Sequence, residues 1–298
     1  MKLHNILSKL RQTAPLHLRE GMGVGLCLLL FTACETVDEA DRWTEPQPIE
    51  MKKNVLVEDF TGQNCVNCPA AAALLHDLTG SSMGEHIVAV SIHGGALAMG
   101  IDKSPLGLAT EIGEKYNTFF GVQAWPSGMI DRTDGNGNAG KTCDFTSWTA
   151  AIVNQLSKEL ITELDINTTY DAATRELHVT VGARPADGPH GELNSGMTLT
   201  VWLTESNITG FQKFSDHNDT QYVHNHVLRD CLSHPYGDYI VENATFGENT
   251  LDLNYTYTIP ATYGRNKWAV NPEQMSVVAF VTDYRGEVLQ VVDAPVVK

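Results

Sequence analysis

The sequence predicts an α/β segment followed by an all-β segment, on three observations. Short, nearly continuous apolar runs at 55–60 and 87–92 flank a stretch with apolar residues at helical spacing, the pattern of buried parallel strands joined by a helix. After Leu164 the apolar period changes to two, the signature of half-buried strands. The chain has 298 residues, 42% of them hydrophobic, enough for about two domains of ordinary size.

The elements follow in order. Residues 1–33 hold Lys2, Lys9, Arg11 and Arg19, then the apolar run Gly23 to Ala33. That run is too short to span a bilayer and reads as the core of a signal peptide. It ends in Leu30-Phe31-Thr32-Ala33-Cys34, which resembles a bacterial lipobox with Phe31 in place of the usual Leu. The resemblance implies cleavage before Cys34 and its lipidation, so that the chain is anchored to a membrane of the cell envelope. The alternative is an ordinary signal peptide that happens to contain Cys34. Residues 34–50 begin acidic (Glu35, Asp38, Glu39, Asp41) and run to Pro46 and Pro48, a solvated tether. Acidic residues at that place resemble the surface-export signals of some outer-membrane lipoproteins; a plain spacer accounts for them equally well.

Residues 51–164 are the expected α/β domain. Val55 to Phe60 and Ile87 to Ile92 are its central strands, and between them Ala71, Leu74, Leu75 and Leu78 define a helix that opens at Pro69. A second helix is expected from Ser104-Pro105 to about Tyr116. A third carries Trp148, Ile152, Leu156 and Leu160 on one face, with Asp144 or Thr146 as its cap. The Gly-rich stretch 134–140 lacks the Lys-Ser/Thr of a phosphate loop and reads as a tight turn. No cofactor is expected.

Residues 165–298 are the expected β domain. Leu177/Val179/Val181, Leu199/Val201/Leu203 and Leu251/Leu253/Tyr255/Tyr257/Ile259 alternate with polar residues, and Val277 to Val281 should pair with Val288 to Val292. Size and strand spacing suit an immunoglobulin-like sandwich.

The formal charge of −16 leaves no basic surface to neutralise phosphates, which argues against nucleic acid as a partner. Six cysteines are present. On the lipobox resemblance Cys27 would leave with the signal peptide and Cys34 would carry the lipid, so Cys65, Cys68, Cys143 and Cys231 would remain in an oxidising compartment. Cys65 and Cys68 form a C-x-x-C pair after a buried strand and at the start of a helix. There a thiolate gains from unpaired N–H groups and the helix dipole. In that geometry Cys65 is expected to be exposed and nucleophilic, and Cys68 shielded and resolving. A structural disulfide fits the same spacing. Cys143 and Cys231 should either stay buried and reduced or bridge the two domains.

Asp59, six residues before Cys65, resembles the buried acid of the thioredoxin family. Phe120 to Ser127 resembles that family's turn into the cis-proline strand, with Pro126 as the proline. The match over about 51–164 implies a thioredoxin-like fold in which Cys65 attacks, Cys68 resolves, Asp59 handles a proton and Pro126 shapes the groove for a protein thiol or disulfide. Asp59 as a hydrogen-bonded carboxylate without a task is the plainer alternative. Val55 to Pro69, with His224-Asn225-His226-Val227-Leu228-Arg229, is also similar to the outer membrane protein 28 family of lipoproteins. This implies an outer-membrane or surface location, without a settled activity. A surface lipoprotein that binds a protein or glycan, with the first domain as scaffold, stands as the alternative function.

His93 follows the strand Ile87 to Ile92, where it either approaches the cysteines at the carboxyl end of the sheet or bonds to loop backbone. His217, His224, His226 and His234 gather in the second domain. His224 and His226 are expected to share one strand face, a spacing able to ligate zinc or copper. Structural or surface roles are favoured for all four, so no metal site is expected.

Overall fold

Val55–Thr61 (β1) and Ile87–His93 (β2) pair in parallel at the centre of a mixed sheet. The computed structural model describes residues 51–99, 107–133, 141–243, 245–246, 250–263 and 268–298. Cys34 and the Gly-rich stretch 134–140 lie outside the described residues, as does Ser104-Pro105.

Helix α1 (Cys68–Thr79) starts with Pro69 in its first turn, where the missing N–H costs nothing. Its Ala71, Leu75 and Leu78 join Trp148, Ile152 and Leu156 of α3 (Trp148–Leu156) against Val55, Val57, Ile87 and Ala89 on one face of the sheet. The other face is covered by α2 (Glu111–Phe119), whose Ile112 and Tyr116 pack on Leu56, Phe60, Val90 and Ile92. The described helix begins at Glu111, because Thr110 caps it by accepting the Gly113 N–H. Asp144 caps a single turn, Phe145–Ser147, that leads into α3; α3 ends at Leu156, so Leu160 falls beyond it. Strand β3 (Ser127–Ile130) enters through a cis Trp125–Pro126 bond and runs antiparallel to β1.

From residue 162 the chain is mainly strand: β4 (Thr162–Asp171), β5 (Glu176–Pro185), β6 (Thr198–Glu205), β7 (Ile208–Lys213), β8 (Asn218–His224), β9 (Val227–Cys231) and β10 (Asp238–Tyr239). The turn-length α4 (Ile240–Asn243) follows, with β11 (Thr245–Phe246), β12 (Leu251–Thr258), β13 (Thr262–Tyr263), β14 (Trp268–Ala269), β15 (Met275–Thr282) and β16 (Val288–Pro295). The hairpin expected between 277 and 292 is β15–β16, with Ala279 opposite Val292.

The expected parting into domains 51–164 and 165–298 gives way to a shared sheet. Among the described residues its order is β16-β15-β6-β9-β2-β1-β3, with β10 on β6, and residues 48–298 cluster as one unit. The outer edge of β2 would otherwise leave backbone groups unpaired. It takes β9 as a parallel neighbour, with the Ser91 N–H donating to the His226 carbonyl at 2.7 Å. The period-two residues do build a second layer. The sheet β11-β12-β5-β4 lays Leu177, Val179, Val181 and Leu253 against Leu199, Val201, Leu203, Val277 and Ala279 of the shared sheet. Half of the expected sandwich therefore belongs to the sheet that begins at β1. The protein is mostly β with helices on one part of a mixed sheet, rather than two folds in series.

Two buried ion pairs hold the turn after β3. Arg132 donates to both carboxylate oxygens of fully buried Glu58 at 2.9 Å each, and its guanidinium lies over Phe280 and Phe120 at 4.7 and 5.0 Å. Asp131 accepts from Lys53 Nζ at 2.7 Å and from the Leu56 N–H at 2.8 Å. Asp131 and Arg132 are both left-handed (φ 50° and 53°), a conformation these partners keep in place. No described helix is long and apolar enough to cross a membrane.

Candidate functional site at the Cys65–Cys68 disulfide

The residues that alternate along one face of β1 and β2 are apolar at first and polar at the end. Val55 and Val57 are followed by Asp59 and Thr61, and Ile87 and Ala89 by Ser91 and His93. Strand register sets Asp59 beside Ser91 and Thr61 beside His93. The carboxyl end of the parallel strands thus forms a polar floor next to the start of α1, the usual place for a site in an open sheet.

Cys65 and Cys68 are joined by a disulfide with Cα atoms 5.4 Å apart. The Cys68 N–H, at the helix start, donates to Cys65 Sγ at 3.1 Å. The expectation that Cys65 is exposed is overturned: Cys65 is 1% and Cys68 2% exposed. The cause is the β7–β8 hairpin, which closes over the loop before α1. Gln212 Nε2 donates to the Cys65 carbonyl at 2.9 Å, the Lys213 N–H to the Gln63 carbonyl at 2.9 Å, and Gln63 Nε2 to the Phe211 carbonyl at 2.8 Å.

Between α1, the polar floor and this hairpin lies a cavity of about 420 Å³. Asp59, His93, Cys68, His76, Gln212, Tyr222 and His224 are in its wall, and Cys65 is not. Asp59 is 1% exposed, and its Oδ1 has no hydrogen-bond partner among the described residues. Burial pushes its carboxyl up to about 7, so near neutral pH it can take up or release a proton. That is an unusual state for a carboxyl, and among the described residues Oδ1 lacks the hydrogen bond that a structural carboxylate would accept.

His93 is buried beside His224 with ring centroids 5.5 Å apart, and its Nδ1 has no partner among the described residues. Burial, then His224 and Arg229, hold His93 well below the usual imidazole range; burial lowers His224 to about 4. Both rings are neutral at pH 7. Pro126 is buried and enters at the same end of β1, since Ser127 pairs with Phe60; it is not in the cavity wall. Its neighbour Trp125 lies where a Cβ on Gly95 (φ 73°) would stand 2.2 Å from the indole, so that position requires glycine.

Of the histidines of the second half, His224 and His226 both line the cavity, but from different backbone settings. β8 ends at His224, and His226 sits in the following turn at φ 55°, so the two do not share a strand face. His217 pairs with Asp216 at the surface and stacks on Phe214. Among the described residues, no group of His, Cys, Asp and Glu is arranged to hold a metal ion. Cys143 and Cys231 are separate half-buried thiols, one beside β3 in the α1/α3 core and the other near Tyr116. The inter-domain bridge does not form.

The family model for outer membrane protein Omp28 matches residues 113–298. This chain belongs to the Omp28 family. The match begins after α1, so it takes in the hairpin and β9 but not the cysteine pair. Among solved structures, HBP35 of Porphyromonas gingivalis superposes with a TM-score of 0.60 at 16% identity, over 82% of this Omp28-family chain and 76% of that one. At that identity the likeness concerns the fold. A protein from Agrobacterium tumefaciens matches more loosely, at a TM-score of 0.46 and 13% identity over 82% of this chain and 95% of its own. A search of curated proteins finds no match.

The polar floor could have been read from the sequence, since Asp59/Thr61 and Ser91/His93 break two apolar alternations at equivalent places. Gln212 and Tyr222 could not, because their approach to residues about 150 positions earlier leaves no periodic trace.

Proposed function

We propose that this Omp28-family protein is a lipid-anchored envelope protein that performs thiol–disulfide exchange through Cys65 and Cys68. The observation that carries the proposal is Asp59, a buried carboxyl near neutrality in the same cavity wall as Cys68. A thiol must lose its proton to react, and a carboxyl of this kind is the group that takes it. The run β1-α1-β2-α2-β3-α3, with the pair opening α1 and a cis proline before β3, supports the thioredoxin-like reading of this part of the chain. The Cys68 N–H beside Cys65 Sγ supports a stabilised thiolate at Cys65 in the reduced form.

The test is the reduction potential of the pair, measured by equilibration with a thiol buffer and alkylation. A value between about −120 and −270 mV is expected for an exchanging pair. The burial of Cys65 under the hairpin favours a second reading, a surface protein whose disulfide is a staple for a binding scaffold. A potential below about −300 mV would establish that reading instead. The anchor has its own test: mass analysis of membrane-extracted protein should give a mature chain that starts at acylated Cys34, and an unmodified Cys34 would refute it.

A further inference from the structure

Resting on the exchange reading, we infer that the reacting partner is a low-molecular-weight thiol without net negative charge, which enters the cavity and attacks Cys68 rather than Cys65. A protein partner needs open backbone beside the disulfide. Here the carbonyls of Gln63 and Cys65 are already taken by the hairpin, and the Asn64 N–H donates to the Leu97 carbonyl at 2.9 Å. The cavity offers another approach to the disulfide, and its wall contains Cys68 and not Cys65. Its volume of about 420 Å³ suits a small molecule and excludes a folded chain. Among the described residues no Lys or Arg is in the wall, its buried histidines are neutral, and the full sequence carries −16, so an anionic thiol meets no described lysine or arginine as counter-charge.

The chemistry of the leaving group agrees with attack at Cys68. The incoming R–SH gives its proton to ionised Asp59, and the thiolate forms a bond to Cys68 Sγ. The Cys65–Cys68 bond breaks with its electron pair moving to Cys65 Sγ, which is the sulfur that the Cys68 N–H faces at 3.1 Å. A stabilised thiolate leaves faster, so the sulfur at the helix start is the better leaving group. A second R–SH then attacks the sulfur of the bound R group. Its proton and that held by Asp59 leave two cysteine thiols, and R–S–S–R departs. Two thiols are oxidised to one disulfide as the protein disulfide is reduced to a dithiol.

The experiment takes the oxidised full-length protein and follows loss of the bridge by alkylation and mass analysis, with cysteamine or with fully reduced ribonuclease A at equal thiol concentration. Cysteamine is expected to act at least about 100-fold faster, and cystamine to label Cys68 in Cys65→Ser at least about 10-fold faster than Cys65 in Cys68→Ser. Ala72→Trp, which fills the cavity from α1, should slow cysteamine about 10-fold. Equal rates for the two thiols, faster labelling of Cys65, or an Ala72→Trp rate like that of the unsubstituted protein would overturn the inference and leave the exchange reading standing. A bridge that no thiol reduces until urea unfolds the protein would overturn both.

Discussion

Asp59→Asn should slow thiol exchange at pH 7 by about 100-fold or more and, at the same time, make the protein more stable above neutral pH. The rate falls because Asn cannot accept the thiol proton, a contribution of about 10² to 10⁴ for a positioned acid or base. Stability rises for a separate reason. Burial raises the Asp59 carboxyl from 3.8 to about 7 in the folded protein. A raised value means that the folded state holds the proton more tightly than the unfolded chain. The resulting contribution is fully present below pH 3.8 and is lost as pH climbs through 7, a loss on the order of 4 kcal/mol by pH 8. Asn does not ionise and escapes that loss. Urea unfolding of both oxidised proteins at pH 4, 6 and 8 should show the variant's advantage growing with pH. A difference independent of pH would mean that ionisation of Asp59 is not the cost described.

Glu58→Ala, one residue away, should do the reverse: destabilise the fold by about 3–5 kcal/mol, with the exchange chemistry unaltered wherever the protein remains folded. Glu58 lies on the opposite face of β1 from Asp59, within the core covered by α2. Its two oxygens are the partners that keep Arg132 charged despite burial. Removing it strands a guanidinium among aromatic rings, whereas taking out both charges together is far cheaper. The double variant Glu58→Leu/Arg132→Met should therefore recover most of the loss in denaturant unfolding. Additive single and double effects would show that the pair is not coupled.

Much of this architecture is legible in the apolar pattern. The alternation at 177–181, 199–203 and 277–281 reports buried faces directly, because side chains in a strand change face at every residue. The change of period at Leu164 is also real, but it marks a change in element type, not a break between domains: strands that are distant in sequence share hydrogen bonds, and backbone pairing carries no side-chain signature. The same limit explains Cys65. A C-x-x-C at a helix start is readable, and so is Asp59 before it. That Gln212 and Lys213 bond to the preceding loop is not, since two polar side chains and a backbone edge meet there without any periodic spacing. The shared strand face expected of His224 and His226 fails for a local reason, a left-handed residue after the strand end that a period-two count does not register.

The parallel seam between β2 and β9 has a consequence for how the molecule comes into being. Everything needed to form the disulfide is made early, by residue 68, yet the neighbour of β2 and the hairpin that seals the cavity are made more than a hundred residues later. Until 208–231 emerge, the cysteine loop is uncovered and β2 presents an open edge of the kind that invites unwanted pairing. Oxidation of the pair therefore has a window of open access during export, and the arrival of the last third of the chain closes it.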